Sequence, residues 1–326
     1  MNRALVLLAA IAVVLAAVLL PLWIGPFYTR VIQLFFFSAG LAVAWNLLGG
    51  FAGYWSFGHT VFIGMGAFSA AHIVTRLGPF GDGPLSMVLP ILLSGLICGL
   101  FAAIIAYPIL RLRGIYFAIA MLGVSQVVGE LVNNLSWFQG GVGVFLQTPL
   151  PAGTAPEDFF YYLFGALLLA SILIAVAVRK SRFGYALLSI REDEDTAMML
   201  GVATERYKIM AFVLSAVLVG TLGAVYGYSV GYFTTYTVFR LDFSLNMIVF
   251  CLIGGIGTLA GPVIGTAIML FITQVLLSRF LDIHLLITGA IVVAIILLMP
   301  GGIIGALRSW RRPAAGGGAA ATETGS

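Results

Sequence analysis

Three stretches of this chain, 85–107, 159–178 and 209–230, run for twenty or more residues without an Asp, Glu, Lys or Arg. The hydrocarbon core of a bilayer is about 30 Å thick and takes about 20 helical residues to cross, so each stretch is long enough to span it. A backbone in lipid must satisfy its own hydrogen bonds, which leaves only helices and closed barrels. Barrel strands alternate apolar and polar residues, whereas these runs are uniformly apolar. The chain is 61% hydrophobic and 9% charged. It reads as an all-α polytopic membrane protein with short loops and no soluble domain.

Following the apolar runs along the chain gives about ten transmembrane helices, near 4–22, 31–48, 57–75, 85–107, 114–132, 159–178, 209–230, 242–257, 259–278 and 284–304. With the N-terminus inside, twelve of the 16 Lys and Arg residues face the cytoplasm. The other four, Arg30, Arg76, Arg240 and Arg279, lie outside. Basic residues collect on the cytoplasmic side, so both termini are expected there. The same rule explains the net charge of +4 without a nucleic-acid partner. Residues 1–312 then form a transmembrane domain with a cytoplasmic loop at 179–208, and the Gly/Ala-rich 313–326 is expected to be a disordered cytoplasmic tail. The basic start before the first apolar run allows a cleaved signal peptide, but 21–26 offers no clean small-residue cleavage site and a retained span is favoured. Cys98 and Cys251 fall inside apolar runs and read as buried small residues rather than a disulfide or metal pair.

Two Gly-rich segments resemble each other: NLLGGFAGYWSFGH at 46–59 and CLIGGIGTLAGPVIG at 251–265. The third, eighth and ninth spans around them are expected to be broken by glycine or partly re-entrant. Both segments take the same orientation in this topology, which leaves a parallel internal repeat open. Gly223, Gly227 and Gly231 recur at every fourth position, as do Gly257, Gly261 and Gly265, a spacing that smooths one helix face for close packing. Asn46, Ser56 and His59 lie among the glycines of the first segment. Polar side chains beside non-helical backbone in a membrane face protein or a wet cavity. These three, with Tyr116 and Asn133, are the candidate solute-path residues. The turn-rich 133–158 is the longest outer segment.

The loop 179–208 concentrates eleven charged residues in an otherwise apolar chain. Ser189 and Glu192 have capping-box spacing, and the acids at 192–195 suit the first turn of a helix. Gly201 can end it. The spacing predicts one short cytoplasmic helix over 190–200, with Ile190, Ala197 and Leu200 on its apolar side. Either it folds onto its own protein or it docks on a cytosolic partner.

Taken in order, NLLGGFAG and SFGH in 46–59, LRLRGIYFAIA at 110–120, the Asn133–Asn134 and Gly140–Gly141 pairs, SRFGYALLSIREDEDTAMMLGV at 181–202 and GGIGTLAGPVIG at 254–265 make the chain resemble a known family. It is the permease subunits of bacterial branched-chain amino-acid ABC transporters, of the LivM type, and the resemblance covers residues 30–305. It implies an ATP-driven importer subunit in the bacterial inner membrane, moving branched-chain amino acids or a related small solute into the cytoplasm. It also implies ABC ATPase subunits, a second homologous permease subunit and an external solute-binding protein as partners. Gly184, Ala186, Arg191, Glu192, Glu194, Ala197 and Gly201 would couple the permease to the ATPase. The chain has no GxxxxGK[ST] phosphate loop, so nucleotide is expected on another chain, with no cofactor, metal or catalytic residue in this one. The sequence departs from the family pattern at Tyr54, Trp55 and Phe57.

Two other functions compete. An ion-coupled secondary transporter normally needs ionisable groups inside the membrane, and the acids near spans here are Glu130, Asp242 and Asp282, all close to span ends. His59 is its one central candidate. An intramembrane hydrolase would pair Ser125 with a His elsewhere in the chain as base, but a serine in a span usually bonds its own helix backbone.

Overall fold

The computed structural model describes residues 21, 23–78, 83–150, 155–276, 289, 293 and 302–305. The described chain is helical apart from one antiparallel pair of two-residue strands, β1 (Val144–Phe145) and β2 (Tyr232–Phe233). The helices are α1 (Pro26–Leu48), α2 (Thr60–Leu77), α3 (Val88–Ile109), α4 (Ile115–Asn134), α5 (Pro156–Lys180), α6 (Arg182–Glu192), α7 (Glu194–Met199), α8 (Thr204–Val230), α9 (Thr235–Val238), α10 (Leu241–Gly254) and α11 (Gly261–Leu270). A 3₁₀ turn, Gly83–Met87, leads into α3, and a π-helical stretch, Phe271–Leu276, continues α11.

Among the described residues, six segments are long and apolar enough to cross a membrane: Pro26–Leu48, Leu85–Ile109, Ile115–Asn134, Pro156–Lys180, Thr204–Val230 and Thr235–Gly254. The chain is thus a multi-pass all-α membrane protein. Of the other expected spans, 57–75 and 259–278 are the shorter helices α2 and α11. The span at 4–22 and the tail at 313–326 lie outside the described residues, as does 284–304 but for a few positions.

Helix ends follow elementary rules. α1 and α5 carry proline in the first turn, where the missing N–H would have had no partner. α5 opens with Glu157 and Asp158 and closes with Arg179 and Lys180, matching the helix dipole at both ends.

α8 is the axis of the bundle and packs against α1, α2 and α3. Small residues let the backbones approach. A Cβ on Gly66 of α2 would land on the Gly220 carbonyl of α8, and one on Gly223 would meet the backbone of Ile63. Gly223 and Gly227 therefore pack as the fourfold spacing suggests. Gly231 does not belong to that face: it caps α8 at φ 75° with open space around it. Nor do Gly257, Gly261 and Gly265 share one helix face, because Gly257 precedes α11 with φ 74°.

Gly223→Ala pushes a methyl against backbone that cannot rotate away, at a cost of about 1–3 kcal/mol. The melting temperature of the purified protein should fall, whereas Gly25→Ala, with nothing within 4 Å of its Cβ, should leave it unchanged.

Candidate functional site: a broken helix fastened to a charged loop

α1 ends at Leu48, and α2 begins only at Thr60. Between them the backbone is irregular, turning at Gly53 with φ 79°. Side chains finish the hydrogen bonding that the broken helix leaves open. Trp45 donates its indole N–H to the Ser56 carbonyl at 2.8 Å, and the Ser244 hydroxyl of α10 accepts from the Thr60 amide at 2.8 Å. Gly58 sits against the Met121 carbonyl of α4, where no Cβ would fit.

The second Gly-rich segment breaks in the same way between α10 and α11, and the two breaks meet. The Asn46 side chain accepts from the Gly257 amide at 2.9 Å and donates to the Thr258 carbonyl at 2.9 Å. Asn46 is 2% exposed, so these bonds are sheltered from water.

The charged loop is tied to both breaks. Arg191 donates to the Gly50 carbonyl at 2.8 Å, and Arg179 donates to the Gly257 carbonyl at 3.0 Å. Each guanidinium satisfies a backbone oxygen that a continuous helix would have satisfied itself. The loop is two helices rather than the single expected one. Ser181 caps α6 by accepting from the Gly184 amide, and Asp193 caps α7 by accepting from the Thr196 amide at 2.6 Å. That bond holds the Asp193 carboxyl below its ordinary pKa. The Ser189–Glu192 capping box does not form. The helix is already under way at Ser189, whose hydroxyl bonds the Ala186 carbonyl.

Behind the loop lies a buried polar cluster. Lys208 of α8 donates to Glu194 at 2.6 Å, to the Tyr54 hydroxyl at 2.9 Å and to the Leu110 carbonyl at 3.1 Å. Tyr54 in turn donates to Glu194 at 2.5 Å. Burial, then the neighbouring carboxylate, raises the Tyr54 pKa. Arg113 closes the rim with two bonds to Asp195, at 3.0 and 2.9 Å. A cavity of about 500 Å³ opens beside the cluster, lined by Tyr54, Trp55, Arg113, Ile190, Arg191 and Glu194 among others.

The candidate coupling residues therefore divide. Ala186 and Ala197 are buried, Gly184 packs on the Val178 carbonyl, and Gly201 turns the chain at φ 85° into α8. Glu194 points inward. Glu192 is exposed, together with Tyr185, Met198, Met199 and Leu200. Among the candidate path residues, Asn46, Ser56 and His59 share the broken segment and are buried. Ser215 donates to the Ala44 carbonyl, so it accepts from His59 Nε2, and the ring carries its proton there. Among the described residues, His59 Nδ1 and the Ser56 hydroxyl have no partner. Tyr116 and Asn133 sit apart from these, on α4, with Tyr116 exposed. The sequence reading had not singled out Lys208, Tyr54, Arg179 or Arg113 as structural ties. For Lys208 a signal existed: with Ala211, Phe212 and Ser215 it lies on the buried stripe of α8.

A family model described as "Branched-chain amino acid transport system / permease component" matches residues 27–298. The chain is similar to the high-affinity branched-chain amino acid transport system permease protein LivM of Escherichia coli K12. The two are 29% identical over 293 residues, covering 81% of this chain and 67% of LivM. It is also similar to LivH of the same strain, 30% identical over 42% of this chain and 44% of LivH. The autoinducer 2 import system permease protein LsrC of Yersinia pestis (strain Pestoides F) is 27% identical over 60% of this chain and 56% of LsrC. No solved structure matches the chain.

Glu194→Gln strands the 3%-exposed Lys208 ammonium without a carboxylate, which costs about 3–5 kcal/mol. The double variant Glu194→Gln/Lys208→Met removes both charges and should melt at a higher temperature than the single one.

Proposed function

The chain belongs to the branched-chain amino acid transport system permease family, and we propose that it carries a branched-chain amino acid, or a related small amphipathic solute, across the bacterial inner membrane as one of two homologous permease subunits. It is a permease subunit of an ABC importer. ATP is hydrolysed on separate ATPase subunits seated on the loop 179–208, and a solute-binding protein delivers cargo from outside. The orientation is that of the positive-inside count, with ten spans, both termini in the cytoplasm and the outer segment 133–158 facing the binding protein.

The observation that carries this reading is the attachment of the charged loop to both helix breaks, through Arg191 on Gly50 and Arg179 on Gly257. A push on α6 and α7 reaches the non-helical backbone through charged hydrogen bonds rather than through a flexible tether. Asn46 passes it from one break to the other. Ser56 and His59, with unpartnered polar atoms in the first break, are placed to meet solute or water when that segment moves.

The surface that meets the ATPase is then the exposed apolar edge at the C-terminal end of α7, Met198, Met199 and Leu200, with Glu192 and Tyr185 nearby in the chain. Exposed apolar side chains beside charged ones fit a docking contact. Glu192→Lys and Met199→Asp should each cut ATP-driven leucine uptake about tenfold or more, as expected for contact residues worth over 1 kcal/mol. Both should leave the permease inserted and its melting temperature unchanged. Normal uptake in both variants would remove the loop from the coupling contact.

A further inference from the structure

α4 is the least buried of the six long apolar helices: 28% of its apolar window is buried, against 61% for α8. Its outward arc differs from those of its peers. On α3 the exposed positions include Leu89, Leu92, Leu96, Leu100 and Ile104, and within α5 they include Ala166, Leu169, Leu173 and Ala177. Those arcs suit hydrocarbon. On α4 the exposed arc interleaves Tyr116, Gly123, Gln126, Glu130 and Asn134 with the apolar Ile115, Ile119, Val127 and Leu131. Tyr116, Gly123 and Glu130 repeat every seventh residue, and Gln126, Glu130 and Asn134 every fourth, so they form one strip along the helix. Gln126 lies about two turns inside the span, where a polar side chain faces water or protein rather than lipid, and Glu130 and Asn134 carry the strip to the helix end.

The Asn134 end of the strip carries an acceptor site. Glu130 accepts from Asn134 at 3.0 Å and from Asn133 at 3.4 Å, and among the described residues no Lys or Arg pairs with it. Asn133 turns its amide nitrogen to Glu130, and its Oδ1 is buried without a partner among the described residues. The Thr235 hydroxyl is a second buried oxygen with no partner among them. The paired glycines Gly140 and Gly141 adjoin these two oxygens, leaving no side chain there. A carboxylate, a free amide oxygen and a hydroxyl without a cation suit a donor with several N–H groups.

We propose that this strip of α4 is one wall of a water-filled solute route, and that Glu130 with Asn133 Oδ1 receives the primary ammonium of an amino-acid solute at the Asn134 end. The inference rests on the permease reading, and the second permease subunit closes the route from the opposite side. Gly123, with nothing within 4 Å of its Cβ, keeps the middle of the wall low.

The test uses the assembled transporter in lipid vesicles, with single nitroxide labels at Gln126, Leu96 and Leu169. A water-soluble nickel chelate should relax the label at 126, while dissolved oxygen should relax those at 96 and 169. A label at 126 that behaves like the other two, or that neither reagent reaches, would overturn the wet route. In the same vesicles, Glu130→Gln should raise the KM for labelled leucine roughly tenfold or more, the loss of a hydrogen bond to a charged group, with Glu130→Asp recovering part of it. An unchanged KM in Glu130→Gln would overturn the ammonium contact. Leucine uptake that continues without the ATPase subunits would instead contradict the permease reading. The collision pattern at 126 is measured independently of that result.

Discussion

A backbone carbonyl buried away from water must find a donor, and this constraint shapes the protein wherever a helix breaks. The chain breaks twice at glycine-rich segments, after α1 and after α10. In each case the freed backbone groups are taken up by side chains from distant parts of the sequence: Asn46 on Gly257 and Thr258, Arg191 on Gly50, Arg179 on Gly257. The donors that complete the two breaks thus include Arg191 of α6 and Arg179 at the end of α5.

The buried cluster behind the loop follows the same logic. Lys208 lies on the inward face of α8, where an unpaired ammonium would be costly. Glu194 neutralises it, and Tyr54 bridges the two. The tyrosine belongs to the first helix break and the glutamate to α7, so one small network holds α7, the break and α8 together. The outward side chains, Met198, Met199 and Leu200, are left free for a partner. A loop whose inner side is locked and whose outer side is apolar can move only by carrying the break with it.

Much of this fold is legible in the sequence, because bilayer thickness and helical rise translate directly into apolar runs, and five of the long helices coincide closely with them. The glycine breaks were also legible as interruptions. What local pattern could not supply was pairing at a distance. Glu194 read as one of four adjacent acids in a first helical turn and as a coupling candidate, and nothing within its own helix shows that Lys208 and Tyr54 wait beside it. The division of the loop into α6 and α7 was misread for a related reason: Ser181, Ser189 and Asp193 all have N-cap chemistry, and sequence alone does not rank them. Gly231 and Gly257 fit a packing stripe by spacing, yet their positive φ gives them a turning role that spacing does not reveal. Tyr116 and Asn133 were chosen as single polar residues. Only the exposed arc of α4 joins them to Gln126, Glu130 and Asn134.

Held by Arg191 on Gly50 and Tyr54 on Glu194, the charged loop and the first helix break are expected to move as one body. A pulsed electron-spin distance between labels at Tyr185 and Trp55, both exposed, in the assembled transporter with and without ATP reads this motion. A distance that stays the same in both states is the expected result. A distance that shifts or splits on ATP binding would mean that the bonds from Arg191 to Gly50 and from Tyr54 to Glu194 part during the cycle, and that force reaches the solute route by another path.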